Sequence, residues 1–390
     1  MRCAIVHYWL LGMRGGEKVV EALCRLLPDA DIFTLFYDPD QVSSAIRSRV
    51  VKTSFLNPFQ RHYRSLLPLM PMAVEHLDLR GYDLVISSES GPAKGVLTSS
   101  QTRHFCYCHS PMRYLWDLYP AYLHEWTRSR LKRALMAPLT NYLRIWDYAA
   151  AARVDDFIAN SLNVEKRIWK AYRRSSDVIY PPVPVEQFYT SQTDDYYLIV
   201  SELVSYKRIS DAVLCFSRTN RRLKIVGDGP EYAALKRMAG ATVEFCGRVP
   251  DCELRDLYAR CRAVLIPGEE DFGIVAVEAI ASGRPVIALG KGGVLETAPE
   301  RDPRAGFFYS DPTEHGLERA VEAFERAEPT LKPNLIRSCA GRFSEERFRH
   351  EISKLLFSDP PTHPDSDLAA SVAQPLRAVG PRVYNRFTSR

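Results

Sequence analysis

Short apolar runs of strand length alternate along the chain with longer segments whose apolar residues recur every three or four positions. That alternation predicts parallel strands covered by helices, an α/β fold. In the first half the predicted strands are 3–7, 31–35, 83–87, 103–108 and 157–159. Between the first two, Val19, Val20, Leu23 and Leu26/Leu27 mark one face of a helix over 16–27, which Pro28 ends. Residues 179–184 carry Pro181, Pro182 and Pro184; they cannot be helical and form the predicted linker. A second series follows, with strands at 196–200, 223–226, 242–246, 263–266, 285–289 and 306–308. Helical stretches at 209–218, 231–238, 251–260 and 274–282 separate them. Ser344 caps a further amphipathic helix whose apolar face is Phe348, Ile352, Leu355 and Leu356. From Ser358 onward five prolines fall in 33 residues and periodicity is lost, which predicts a disordered tail. The expected organisation is two doubly wound Rossmann-like domains, 1–180 and 181–343, then a helix at 344–357 open to crossing back onto the first domain, then the tail at 358–390. Ligands of such sheets collect at the carboxyl ends of the strands, so the cleft between the domains is the expected site.

Composition narrows the class. A chain of 390 residues with 46% hydrophobic and 25% charged residues is globular and long enough for two cores. The formal charge of +5, from 52 Lys+Arg and 47 Asp+Glu, is too small to point to nucleic acid. The longest run of apolar residues and proline, Leu66 to Val74, is nine residues, whereas a spanning helix needs about 20. The N-terminus enters a strand-like segment without a leader-type apolar stretch. Nine scattered cysteines, an odd number, fit reduced thiols. The expectation is a cytoplasmic protein.

Four segments could carry chemistry. Residues 267–288 read as strand end, acidic loop, helix, turn and strand, with the helix starting near Gly273 so that its unpaired amides face the loop and suit a phosphate. Glu270 and Glu278 flank that start. Carboxylates accept hydrogen bonds from vicinal diols, so the pair suits the two sugars of a nucleotide-sugar. A solvated acidic loop beside one helical glutamate has the same local pattern. Lys207 and Arg208, just after a strand, suit a departing diphosphate or the basic start of a surface helix. Gly12–Glu17 permits close backbone approach to a ligand, or is a tight turn; it is not Gly-x-Gly-x-x-Gly. Cys106-x-Cys108-His109 lacks the second ligand pair of a zinc site, leaving His109 as a polar cleft residue or a structural histidine. Finally, 47–74 and 128–144 each hold five Lys/Arg and no acid. Phe55, Phe59 and Tyr63 accompany the first stretch, and Leu131, Leu135, Leu139 and Leu143 the second. That mixture suits an anionic bilayer surface, or a solvated basic face over core helices.

Taken together, Glu270-x7-Glu278 with Phe272-Gly273 and 283–287, the Val226–Pro230 turn, Phe245–Val249 and Gly292–Thr297 resemble the family 4 glycosyltransferases of GT-B fold, over about residues 3–357. Within that family, Gly15–Lys18, His109–Tyr114 and Glu269–Gly273 are similar to bacterial O-antigen and exopolysaccharide mannosyltransferases. The resemblance implies two Rossmann-like domains closing on a nucleotide-sugar and retaining transfer of a hexose, usually without a metal. It implies that Glu278 binds the ribose, Glu270 the donor hexose, and Lys207 the diphosphate, with backbone help from Gly16 and around Phe272, Gly273 and Ile274. Arg248 and Val249 would lie near the base, and His109 near the donor hexose and the reacting centre. GDP-mannose is the expected donor, with a UDP-sugar as the alternative. The expected acceptor is a lipid-linked glycan at the inner membrane face, and no nucleic acid is expected. One departure stands out: many relatives carry Arg five residues before the lysine, and this chain has Glu202. Arg208, and behind it Arg14, are the expected replacements. A nucleotide-sugar-binding protein without turnover, or an epimerase or phosphorylase of the same fold, are the rival readings.

Overall fold

The computed structural model describes residues 1–119, 130–301 and 303–358. Two wholly parallel sheets dominate it. The first has seven strands, β1 (Cys3–His7), β2 (Asp31–Thr34), β3 (Val51–Thr53), β4 (Leu84–Glu89), β5 (Arg103–Cys108), β6 (Asp156–Ala159) and β7 (Asp177–Val178), in the order β3-β2-β1-β4-β5-β6-β7. The second has six, β8 (Tyr197–Val200), β9 (Leu223–Val226), β10 (Val243–Gly247), β11 (Val264–Ile266), β12 (Val286–Leu289) and β13 (Gly306–Tyr309), in the order β10-β9-β8-β11-β12-β13. Strands such as Val286–Leu289 are buried throughout, as expected where helices cover both sheet faces. Residues Met1–Ser353 form one compact unit.

All eleven predicted strands are present, shifted by a residue or two at their ends. The two unpredicted ones, β3 and β7, are the edge strands of the first sheet and have three and two residues, too few to show a period. Each sheet reverses its strand order once, between β1 and β4 and between β8 and β11. The crevices at the carboxyl ends of those pairs are where ligands settle in doubly wound sheets. His7, Glu89, Ser201 and Pro267 stand at those four ends.

A buried charge cluster fixes the segment after β4. Lys94 is fully buried with its ammonium 3.1 Å from Glu89 Oε1 and paired to Asp147 Oδ1. The other oxygen of Asp147 accepts from Trp116 Nε1 and Tyr172 Oη, each at 2.8 Å. Burial pushes the Glu89 carboxyl up to about 7, against the pull of Lys94. Next to it, a Cβ on Gly95 would fall 2.5 Å or less from two ring atoms of Trp146, so only glycine lets the Arg130–Ala151 helix close on this turn.

The chain then crosses to the second sheet through residues 179–184, and it comes back. Val183 N donates to Phe343 O at 2.9 Å, and Arg347 Nη2 to Tyr180 O at 2.7 Å. In the first turn of the Glu345–Leu356 helix, Glu345 takes two 2.8 Å hydrogen bonds from Arg25 of the first half, and Phe348 lies edge-on to Tyr107 of β5. Among the described residues no helix is long and apolar enough to cross a membrane. The predicted tail, apart from Ser358, lies outside the described residues.

Replacing Lys94 with Met leaves two buried carboxylates without their counter-charge. Urea unfolding is expected to show a loss of about 3–5 kcal/mol; a loss within experimental error of zero would mean the cluster does not anchor the segment.

Candidate active site

The amphipathic helix Gly15–Leu26 begins directly after β1, with Glu17 reaching back to Arg14 N at 3.1 Å to close its first turn. Gly16 lies against three ring side chains. A Cβ there would stand 3.4 Å from His7 Cε1, 3.5 Å from His109 Nε2 and 3.6 Å from Tyr8 Oη. The helix start therefore rests on His109, and two residues chosen from the sequence meet. His109 Nε2 lies 2.9 Å from Ser88 Oγ, and its carbonyl accepts from Asn160 Nδ2 at 3.0 Å. Desolvation, then the neighbouring His7, pulls its pKa down to about 3, so the ring is neutral at working pH. His7 Nδ1 is 2.7 Å from the Ser88 carbonyl, which can only accept, so the proton sits on Nδ1. Its Nε2 stands 3.9 Å from Glu17 Oε1.

Gly15 makes the join between the halves. A Cβ on it would come 2.8 Å from Ile274 Cδ1, so the first helix start touches the start of the Ile274–Ala281 helix. Gly273 caps the latter at φ +92°, a left-handed conformation that glycine tolerates. Phe272 is a core residue, its ring packed between Tyr180 and Phe343. The side chain is thus unavailable to a donor, and any contact from this position must come from its backbone.

Lys207 and Glu270 are brought together at 2.5 Å. Burial works to lower the lysine pKa, but the Glu270 carboxylate raises it further, so the ammonium stays charged. Gly268 allows this: a Cβ there would fall 2.6 Å from Lys207 Cα. Glu278 is buried, with Oε2 accepting from Tyr258 Oη at 2.8 Å and Oε1 lying 3.4 Å from Lys18 Nζ. It opens on a cavity of about 710 Å³ shared by Lys18, Phe188, Asp251, Leu254 and Arg255. Arg248 is exposed and Val249 packs against the core, so the cavity is lined by the helix after them and not by this pair. Arg208 is not gathered in: its guanidinium bonds Asp211 at 2.7 and 2.9 Å and the Pro312 carbonyl.

Several partners were invisible to sequence reasoning. Arg167 reaches across to both Glu269 and Asp271, 2.5 Å to each, and Arg113 stands 3.5 Å from Asp271. Ser161 Oγ donates to Asp271 O at 2.7 Å. Glu296 caps the Leu162–Tyr172 helix from the opposite half, accepting from Leu162 N and Asn163 N at 2.8 and 2.9 Å. Glu202 meets Arg14 at 3.1 Å and Arg64 at 4.0 Å. Arg113, Arg14, Arg64, Glu202 and Glu296 lie in segments that the sequence marks, but their pairings do not show there. Arg167 sits on a helix without any motif.

Cys106 and Cys108 are buried in the core with Phe157 and Val164. The basic stretches are partly spent internally. Arg49 donates to Cys24 O at 2.9 Å and Lys52 pairs with Asp31 at 3.1 Å. Of the second stretch, residues 128 and 129 lie outside the described residues, and Arg144 Nε donates to Leu115 O at 2.9 Å. Exposed apolar side chains remain at Phe55, Phe59, Leu69 and Met72, and at Tyr142, Ile145 and Tyr148. Leu67 and Trp146 both pack against the buried cluster of Met112, Leu115 and Leu143.

Two family models match consecutive stretches, one described as Glycosyltransferase Family 4 over residues 13–187 and one as Glycosyl transferases group 1 over residues 186–351. Together they take in both sheets and the cleft. The chain belongs to the family 4 glycosyltransferases. An uncharacterized glycosyltransferase of Methanocaldococcus jannaschii is 26% identical over 152 residues, 38% of this chain and 43% of that protein. A GDP-mannose-dependent alpha-mannosyltransferase of Mycolicibacterium smegmatis is 33% identical over 138 residues, 35% of this chain and 33% of that protein. The chain thus spans less than half the length of these curated relatives. Among solved structures, Anabaena Alr3699/HepE in complex with UDP and glucose superposes with a TM-score of 0.65 at 16% identity, covering 91% of this chain and 99% of that one. The expected GT-B fold is therefore present.

For this family 4 chain the site geometry gives a pH expectation. A histidine whose folded pKa is depressed takes up a proton on unfolding, so the fold loses stability as pH falls from about 6.5 towards about 3. NMR of the His109 ring is expected to show no titration above about pH 4; a midpoint near 6.5 would contradict the burial described.

Proposed function

We propose that the protein transfers a hexose, with retention of configuration, from GDP-mannose to a glycan acceptor. The observation that carries this reading is the meeting of the Gly15–Gly16 and Ile274 helix starts beside His109, in the same cleft as the Lys207–Glu270 pair. Two helix starts and a charged lysine form an anion site, and carboxylates beside it suit sugar hydroxyls. On this reading Lys207 takes the charge of the departing diphosphate. Glu270 then holds the donor hexose, and Glu278, steadied by Tyr258, holds the ribose. His109, being neutral, hydrogen-bonds a donor or acceptor hydroxyl without adding charge. The acceptor oxygen bonds to the anomeric carbon from the face the diphosphate leaves, as the carbon–oxygen bond to that diphosphate breaks. The acceptor proton passes to a diphosphate oxygen. The protein's part is positioning and stabilising the leaving group.

The GDP-mannose assignment is supported by the mycobacterial relative; the UDP and glucose in the Anabaena neighbour favour a UDP-sugar as the second reading. A lipid-linked acceptor is supported by exposed apolar side chains in or beside the two basic stretches, Phe59 and Leu69 with the first and Ile145 and Tyr148 with the second, which suit the edge of a bilayer.

Thermal shift with GDP-mannose, UDP-glucose, GDP and UDP tests the donor. At about 100 times its dissociation constant the true donor stabilises by about 2.7 kcal/mol. A guanine-selective shift that Glu278→Ala abolishes is expected. A uracil-selective shift moves the donor to the second reading, and no shift with any of the four sinks the nucleotide-sugar reading. Since Lys207 and backbone amides meet the leaving group, turnover is expected to survive EDTA. Flotation with anionic vesicles tests the acceptor side: binding should weaken when Phe59 and Ile145 are both replaced by Ser, and protein that never floats at low salt argues against a membrane-bound acceptor.

A further inference from the structure

Glu202 poses a problem for any anion site. It follows β8 closely, five residues before Lys207, and a carboxylate there opposes a diphosphate. It belongs to the same locus as the proposed donor groups, since Tyr206 lies under the combined charges of Lys207, Glu270, Glu202 and Arg113. The structure answers with cations from the other half of the molecule. Arg14 Nη1 stands 3.1 Å from one Glu202 oxygen and Arg64 Nη2 4.0 Å from the other, so the three side chains together carry one net positive charge.

Resting on the nucleotide-sugar reading above, we infer that Arg14, aimed across the cleft by Glu202, is the second cation of the diphosphate site. Its backbone is anchored where the site converges. Arg14 precedes Gly15, the residue in contact with Ile274, and its N–H is held by Glu17 at 3.1 Å. One turn further along, Lys18 also crosses the cleft, to Glu278 at 3.4 Å. Arg14 is the cap of that helix, and its carbonyl accepts from Lys18 N at 3.0 Å, which ties the two residues together. Arg14 and Lys18 therefore serve successive parts of one ligand: Arg14 the diphosphate and Lys18 the region of the ribose.

The guanidinium has capacity to spare. It carries five N–H donors, and Glu202 takes one hydrogen bond from Nη1. The side chain is 56% exposed, leaving its other edge open to phosphate oxygens in the forked geometry that arginine favours. Glu202 is then a positioning residue: it holds Arg14 at the mouth of the site and is neutralised by doing so. The alternative cation on the same loop, Arg208, is occupied by Asp211 and the Pro312 carbonyl. The consequence is a site that is complete only when the two halves are together, because one cation comes from each.

The test is a charge exchange read by calorimetric titration of the full-length protein with GDP and UDP, with guanosine and uridine as phosphate-free controls. Arg14→Ala removes a charge-assisted contact and exposes Glu202 to the ligand; diphosphate affinity is expected to fall about ten- to a hundredfold, with nucleoside affinity unchanged. The double variant Arg14→Ala/Glu202→Gln, which removes the exposed carboxylate, is expected to bind better than Arg14→Ala alone. Arg14→Ala/Glu202→Arg, which moves the cation to the second half, is expected to return most of the lost affinity. If Arg14→Ala binds the diphosphate as the wild type does, or if neither double variant recovers affinity while far-ultraviolet circular dichroism shows it folded, the inference is overturned and the donor reading stands. A misfolded Arg14→Ala leaves Arg14→Lys as the probe, expected to bind more weakly than wild type because ammonium lacks the fork; equal affinity overturns the inference. Wild-type protein that binds neither diphosphate overturns both.

Discussion

Everything at the cleft depends on how three consecutive acids divide. Glu269 and Asp271 turn to Arg167 of the first half, while Glu270 between them turns to Lys207 of the second. Glu270 forms an isolated bridge to Gly292, and the chain bends directly after it. The loop is thereby held from both directions, and Glu270 cannot shift without disturbing Arg167. Asp271 is raised by burial and lowered by Arg113 and Arg167, the balance of a carboxylate kept inside only by its partners. Ser161 on its carbonyl and Glu296 on the Leu162–Tyr172 helix extend the same contact, so the join between the halves is a run of charge-assisted bonds rather than an apolar seam.

A polar join needs rigid backing. On the first half that backing is the fully buried Lys94 with Glu89 and Asp147, which ties the turn after β4 to the Arg130–Ala151 helix and, through Tyr172, to the helix bearing Arg167. Gly95 permits the closeness and could not be replaced by a larger residue without moving Trp146. On the second half, Phe272 plays the equivalent part. Its ring is locked between Tyr180 and Phe343, so the residue after the acids is pinned in the core and Gly273 turns at once into the helix. The signature phenylalanine works by packing.

These distinctions explain what the sequence could and could not reveal. Interior strands were legible because buried residues dominate them, even the three of β11, and leave an apolar run; β3 and β7 were not, being short edge strands with no buried residue. The positions of Lys207, Gly16 and His109 were legible because each sits beside a strand end or a helix start, and Glu270 and Glu278 because they flank the start of one helix. Arg167 was not: it lies 102 and 104 residues from its partners, and nothing local distinguishes it from any other helical arginine. Lys18 and Tyr258 were hidden likewise, since each acts on Glu278 from a different element. Arg208 shows the opposite error. Adjacency to Lys207 suggested a shared role, but its left-handed backbone at φ +54° accompanies a guanidinium engaged by Asp211, within the first turn of the Ile209–Thr219 helix.

The ion pairs of the cleft share one property that bears on how it can accept a donor. Lys207 with Glu270, Lys18 with Glu278 and Arg14 with Glu202 each set a cation against a carboxylate. Leaving any of these charges unpartnered in a partly buried cleft would be costly. A nucleotide-sugar carries both complements, an anionic diphosphate for cations and vicinal diols for carboxylates. Its entry at Lys207 and Glu270 would exchange one partner for another and leave no charge stranded. A free phosphate satisfies the cations alone, and a free sugar only the carboxylates. On the proposed reading, the arrangement would favour the intact donor over either fragment through the electrostatics of the paired state, without a separate recognition element for the bond that joins them.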